Sequence, residues 1–164
     1  MALTVMDRFR PLRYLGGGGI PSLEVTCESA TTWSQGALIV HAGGYAVAGA
    51  DAPLPATILG IALEPNVAGD TERLIVPALP GVTFWGRIAT GATGTTTDSA
   101  VADRYVSGDA AGYDIYLGAV DVYFLNQAAT ADPQAVIINF IDPLGTAFGA
   151  VEWTFASSAF NAVA

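Results

Sequence analysis

Lysine is absent from this 164-residue chain, which carries one histidine, one cysteine and six basic residues, all arginine. Charged residues make up 13% of the sequence, about half the share usual in a soluble domain. Each scarcity excludes something. The single cysteine, Cys27, rules out an intramolecular disulfide and is expected to act as a small buried apolar residue. The single histidine, His41, lies between Val40 and Ala42 in an apolar stretch; it has no neighbouring ligands for a metal and reads as a hydrogen-bonded structural residue rather than a catalyst. A net charge of −9 with so few cations leaves no basic stripe for nucleic acid, so no direct nucleic-acid partner is expected. Long hydrophobic runs are missing too, although 52% of the residues are apolar. His41 with Gly43-Gly44, then Asp51, Pro53 and Pro55, then Glu64-Pro65 cut the apolar stretches short of the roughly 18–20 residues of a spanning helix, so no membrane partner is expected. Met1–Met6 has neither a basic start nor a long apolar core, and a secretory leader is not expected.

The charge that is present is segregated. Three of the six arginines, Arg8, Arg10 and Arg13, fall in the first thirteen residues, where with Asp7 the sum is +3 − 1 = +2; residues 14–164 carry +3 − 14 = −11. Four glycines, Gly16, Gly17, Gly18 and Gly19, follow directly. This pattern predicts a basic arm, with Phe9, Leu12 and Tyr14 as apolar anchors among the arginines, that swings on a glycine hinge to grip a partner.

Beyond the arm the chain reads as short strands punctuated by Gly and Pro. Alternation or β-rich composition marks 22–27, 37–41, 44–47, 56–63, 72–79, 81–89, 113–125, 135–141 and 150–155. Pro80-Gly81 suits a tight turn, and Pro77 points to an edge or a bulge. Residues 91–102 are Gly- and Thr-rich and read as a loop. The expected fold is all-β, a small barrel, β-tulip or sandwich, with an extended N-terminal arm and an additional C-terminal β-region. The corresponding division is residues 1–20 as arm and hinge, 21–92 as a barrel-like core, and 93–164 as a loop and further strands completing the same body. Ile58-Leu59-Gly60-Ile61-Ala62 and Tyr116-Leu117-Gly118-Ala119-Val120 echo one another, which fits either a duplicated unit or two strand glycines at bulges or close backbone approaches.

No constellation for chemistry emerges. No serine sits in a G-x-S-x-G elbow, Gly16–Gly19 lacks the Gly-Lys-Ser/Thr ending of a phosphate loop, and Asp103, Asp109, Asp114 and Asp121 do not form a calcium-loop spacing. A Cys27–His41 pair on adjacent strands is conceivable as nucleophile and base, but fourteen residues of separation do not establish it. No catalytic, cofactor or metal site is therefore assigned, and the chain is not expected to be an enzyme. The aromatic residues Phe84, Trp85, Trp153, Phe155 and Phe160 fit a core, a sugar site or an interface. Phe84 and Trp85 are adjacent, so a regular strand sends them to opposite faces; one face is core, and the other is a candidate interface.

Gln35–Val40, Gly44–Val47, Ile58–Ala62, Ala68-Gly69-Asp70 and Leu74–Val76 together resemble the strand-and-glycine rhythm of tailed-bacteriophage head decoration (cement) proteins. The later stretches Tyr113–Leu117, Ile138–Pro143 and Gly149–Trp153 are similar to the C-terminal β-region of phage structural proteins. The resemblance implies a small β-domain, usually trimeric, that sits on the outside of the capsid, is assembled in the host cytoplasm, and braces the major capsid protein, often through an extended N-terminal arm. It implies no catalytic residues. The alternative from the residues themselves is a carbohydrate- or receptor-binding β-module of a virion or cell surface.

Overall fold

The computed structural model describes residues 3–89, 113–118, 121–126, 134–143 and 146–160; the Gly/Thr-rich stretch 91–102, with Asp103 and Asp109, lies outside them. The fold is all-β. Its strands are β1 (Arg10–Tyr14), β2 (Leu23–Thr26), β3 (Leu38–Ala42), β4 (Tyr45–Ala48), β5 (Ile58–Ala62), β6 (Glu72–Pro77), β7 (Val82–Ala89), β8 (Asp114–Leu117), β9 (Tyr123–Asn126), β10 (Ala135–Phe140) and β11 (Ala150–Phe155). Helix is slight: the described residues include the 3-10 turns Val5–Asp7 and Pro55–Thr57, and Asp121 is also in a 3-10 conformation.

Two sheets form. One has the order β10-β11-β7-β9-β8, with β1 added along β7; the other has the order β2-β6-β5-β3-β4. Each sheet rolls until its end strands touch at one isolated bridge, Tyr113 with Ala135 in the first and Cys27 with Ala46 in the second, and neither closes into a barrel ladder. The chain passes from the first sheet to the second between β1 and β2 and returns at the turn after β6, where the Val82 amide donates to the Leu79 carbonyl and Gly81 takes φ +84°, as a Pro-Gly turn requires. The return to the first sheet thus falls at Ala78–Gly81. One hydrophobic cluster contains residues of both sheets, including Leu38, Ile39, Ile61 and Ile75 from the second and Phe84, Ile115, Leu125, Ile137 and Trp153 from the first.

Local chemistry explains the irregular points. Gly60 lies opposite Pro77 in the β5–β6 pairing, and the β3–β5 register slips beside it. A Cβ at Gly60 would collide with the Val76 carbonyl, so the close-approach reading of that glycine holds. Gly118 differs, because it follows the last residue of β8 and donates its amide to the Val122 carbonyl in the turn to β9. The two Leu-Gly sites therefore occupy different structural positions, and the stretch 113–125 is two paired strands rather than one. Pro77 is the last residue of β6, an interior strand. Its missing donor costs nothing there, because the β2 pairing ends at Ile75.

Candidate functional site

The basic N-terminal segment does not reach away from the body. Residues Arg10–Tyr14 pair antiparallel with β7, Arg10 opposite Trp85, Pro11 opposite Phe84, Arg13 opposite Thr83 and Tyr14 opposite Val82. Ahead of the strand, Thr4 and Asp7 close a capping box around the 3-10 turn, which aims Phe9 inward. Phe9 is only 2% exposed. Its ring lies 4.8 Å from the Trp153 ring and 6.4 Å from the Tyr123 ring, in a space that exists because residue 86 is glycine: a Cβ on Gly86 would meet both the Phe9 ring and the Trp153 indole. Gly36 makes room for the backbone of the same segment, since a Cβ there would meet the Phe9 carbonyl and the Arg8 side chain.

Arg10, Arg13 and Arg87 bind the chain's own acids and aromatics. Arg13 donates from Nε and Nη2 to the two oxygens of Glu152 at 2.6 and 2.8 Å, a bidentate fork, and Thr83 donates its hydroxyl to the same carboxylate at 2.7 Å. Hydrogen bonds from Arg13 hold the Glu152 carboxyl below the usual range, ahead of burial acting the other way. The Arg10 guanidinium sits 4.0 Å above the Trp85 ring, and Arg87 lies 5.2 Å from that ring. Arg87 also donates to Asp7 at 2.5 Å and to the Phe148 carbonyl at 2.9 Å. Burial pushes the Asp7 carboxyl up, but hydrogen bonds from Thr4 and Arg87 outweigh it and leave its pKa lowered.

These contacts correct the arm reading. Phe9 is core, Arg10 and Arg13 are engaged within the chain, and Arg8 has its Nε buried with no partner among the described residues. Leu12 and Tyr14 remain more than a third exposed. Gly17, Gly18 and Gly19 have open space where a side chain would stand, whereas Gly16 lies under the Tyr14 ring; the Gly17 amide closes a turn onto the Tyr14 carbonyl at 3.1 Å. Of the aromatic residues expected at an interface, Phe84, Trp153 and Phe155 pack on one another in the core, with ring centroids 4.9–5.5 Å apart. Trp85 does face the other way, but the two arginines cover it. Phe160 is exposed.

Other candidate residues are dispersed. Cys27 is buried as expected, and burial raises its thiol pKa. His41 is exposed at the end of β3 rather than held in the core. Strand β4 separates the two, since Ala46 bridges Cys27 on one side and pairs with His41 on the other, so they are not on adjacent strands. Asp114 is buried and Asp121 exposed; among the described residues no group of three or more His, Cys, Asp or Glu side chains is placed to hold a metal ion. A cleft of about 420 Å³ opens beside Trp33, Ser34, Leu117, Asp121 and Tyr123. The Tyr123 hydroxyl is committed to the Gly49 carbonyl at 2.6 Å, and burial raises its pKa. Asp121 carries φ +56°. Sequence reasoning missed this cleft, whose residues come from four separated stretches.

No protein-family model, no curated protein and no solved structure matches this chain.

Proposed function

We propose that the chain is a virion structural protein, a decoration subunit that binds the outer surface of a phage head through its major capsid protein and stabilises the lattice. The observation that carries this reading is the exposed apolar run on the clasped segment and its tether. Leu12, Tyr14, Leu15, Ile20 and Leu23 each stand more than a third exposed within twelve residues, and Val5 and Met6 add 52% and 77% exposure just ahead. So much apolar surface on one segment calls for a cover, and a sheet-bound segment offers it in a fixed conformation at little ordering cost. The acidic, lysine-free body would meet a capsid exterior rather than packaged nucleic acid. On this reading the subunit is a homotrimer on the capsid exterior and performs no catalysis.

The experiment is imaging of heads assembled from the same genome's major capsid protein, with and without the purified chain. Ordered extra density on the outer surface is expected; heads unchanged at saturating protein would refute the proposal.

The cleft at Trp33 and Asp121 favours a second reading, a carbohydrate-binding module, because an aromatic wall beside a carboxylate suits a sugar ring. A glycan array decides it: specific binding lost in both Trp33→Ala and Asp121→Ala would replace the capsid proposal.

A further inference from the structure

The surface that receives residues 8–14 is a built peptide slot. It offers the edge of β7 for main-chain pairing, a pocket between Gly86, Tyr123 and Trp153 for a phenyl ring, the Trp85 face for one guanidinium, and the Glu152 carboxylate for a second three residues later. Such a slot reads Phe-Arg-x-x-Arg in an extended strand, and its occupant is this chain's own Phe9-Arg10-Pro11-Leu12-Arg13.

We propose that the slot is exchangeable, and that at high local density the strand from one copy fills the slot of a second copy of the same chain. Three observations carry this. The occupant is joined to β2 only through residues 15–22, in which Gly18 and Gly19 have open space where a side chain would stand and Gly17 is held only by its amide donating to the Tyr14 carbonyl at 3.1 Å; eight extended residues reach about 28 Å, enough to pass to a neighbour. The clasp is also imperfectly satisfied. Trp153 Nε1, next to the Phe9 ring, and Arg8 Nε are both buried without a hydrogen-bond partner among the described residues, a local cost that lowers the free energy of opening. Finally, the apolar side chains left exposed in the closed chain, Leu12, Tyr14, Leu15 and Ile20, belong to the moving segment itself, and two exchanged segments lying together would cover them.

Exchange preserves every contact of the closed form, so its balance is set by concentration. A short flexible tether holds the segment at an effective concentration on the order of millimolar; dilute chains close on themselves, and crowded copies exchange. Strand exchange of this kind stands whether or not the chain decorates a capsid.

Arg13 and Thr83 are direct cross-strand partners, at a separation a disulfide accepts. The double variant Arg13→Cys/Thr83→Cys, with the buried Cys27 left in place, is oxidised at micromolar and at millimolar concentration and sized without reductant. Monomers with an internal disulfide are expected at the low concentration and doubly linked dimers as the main product at the high one. Internally linked monomers alone across the range overturn the proposal, as does a folded chain that forms no disulfide. Should the double variant not fold, equal amounts of the two single variants are mixed at millimolar concentration. A heterodimer joining residues 13 and 83 supports exchange, and its absence overturns it.

Discussion

Phe9 is the residue on which the N-terminal segment turns. Its ring fills a space kept open by Gly86 and shields the Trp153 indole, so Phe9→Ala leaves a cavity in the shared core and should cost about 3–5 kcal/mol. Denaturant titration followed by tryptophan fluorescence measures this; a loss below about 1 kcal/mol would mean that the ring spends its time outside. Glu152 and Asp7 set the pH response of the same segment. Both carboxyls have lowered pKa values when folded, so their stabilisation is fully present above the ordinary carboxylate range, about pH 4, and is lost as pH falls through the depressed folded values. Stability measured against pH should drop below about pH 4, with a shallower drop in Glu152→Gln, which no longer titrates there. An identical profile in that variant would show that Arg13 and Glu152 do not interact in solution.

At the level of elements, most strands were legible. The sequence runs at 22–27, 37–41, 44–47, 72–79, 135–141 and 150–155 all match the observed strands to within two residues, because alternation and turn residues act locally. What escaped was β1. Its Pro and three nearby arginines hide any apolar alternation, and the strand is held by partners far along the chain, Thr83, Trp85 and Glu152. No local pattern encodes such contacts, although the match of a Phe-Arg-x-x-Arg segment to a distant Trp and Glu was present in the sequence. The turn at Gly118–Val122 was missed because apolar residues flank it on both sides. Gly60 shows the opposite case, a residue whose role its sequence context announced. Gly60→Ala drives a methyl group into the Val76 carbonyl and should destabilise the chain by about 3 kcal/mol, seen as a lower denaturation midpoint; an unchanged midpoint would mean β5 and β6 can separate without cost.

For the whole molecule, segregated charge signals an intramolecular fastening. The basic segment, +2 over residues 1–13, is fastened to a body at −11 through one carboxylate, Glu152, and the Trp85 face, and three arginines, Arg10, Arg13 and Arg87, gather around those two residues. Charge and glycine spacing drew attention to Arg8–Tyr14, but the contacts this segment makes in the structure, with β7, Trp85 and Glu152, lie within the chain and were sought outside it. Removing residues 1–19 therefore takes away Phe9 and a strand, and a loss of binding in such a truncation cannot be separated from a loss of folding. Amide hydrogen exchange on the intact chain tests the central claim, that this segment is a strand of the body, most directly. Slow exchange is predicted for the β1 amides that donate to β7, beside fast exchange at Gly18 and Gly19; exchange throughout Arg10–Tyr14 as fast as at those two glycines would contradict it.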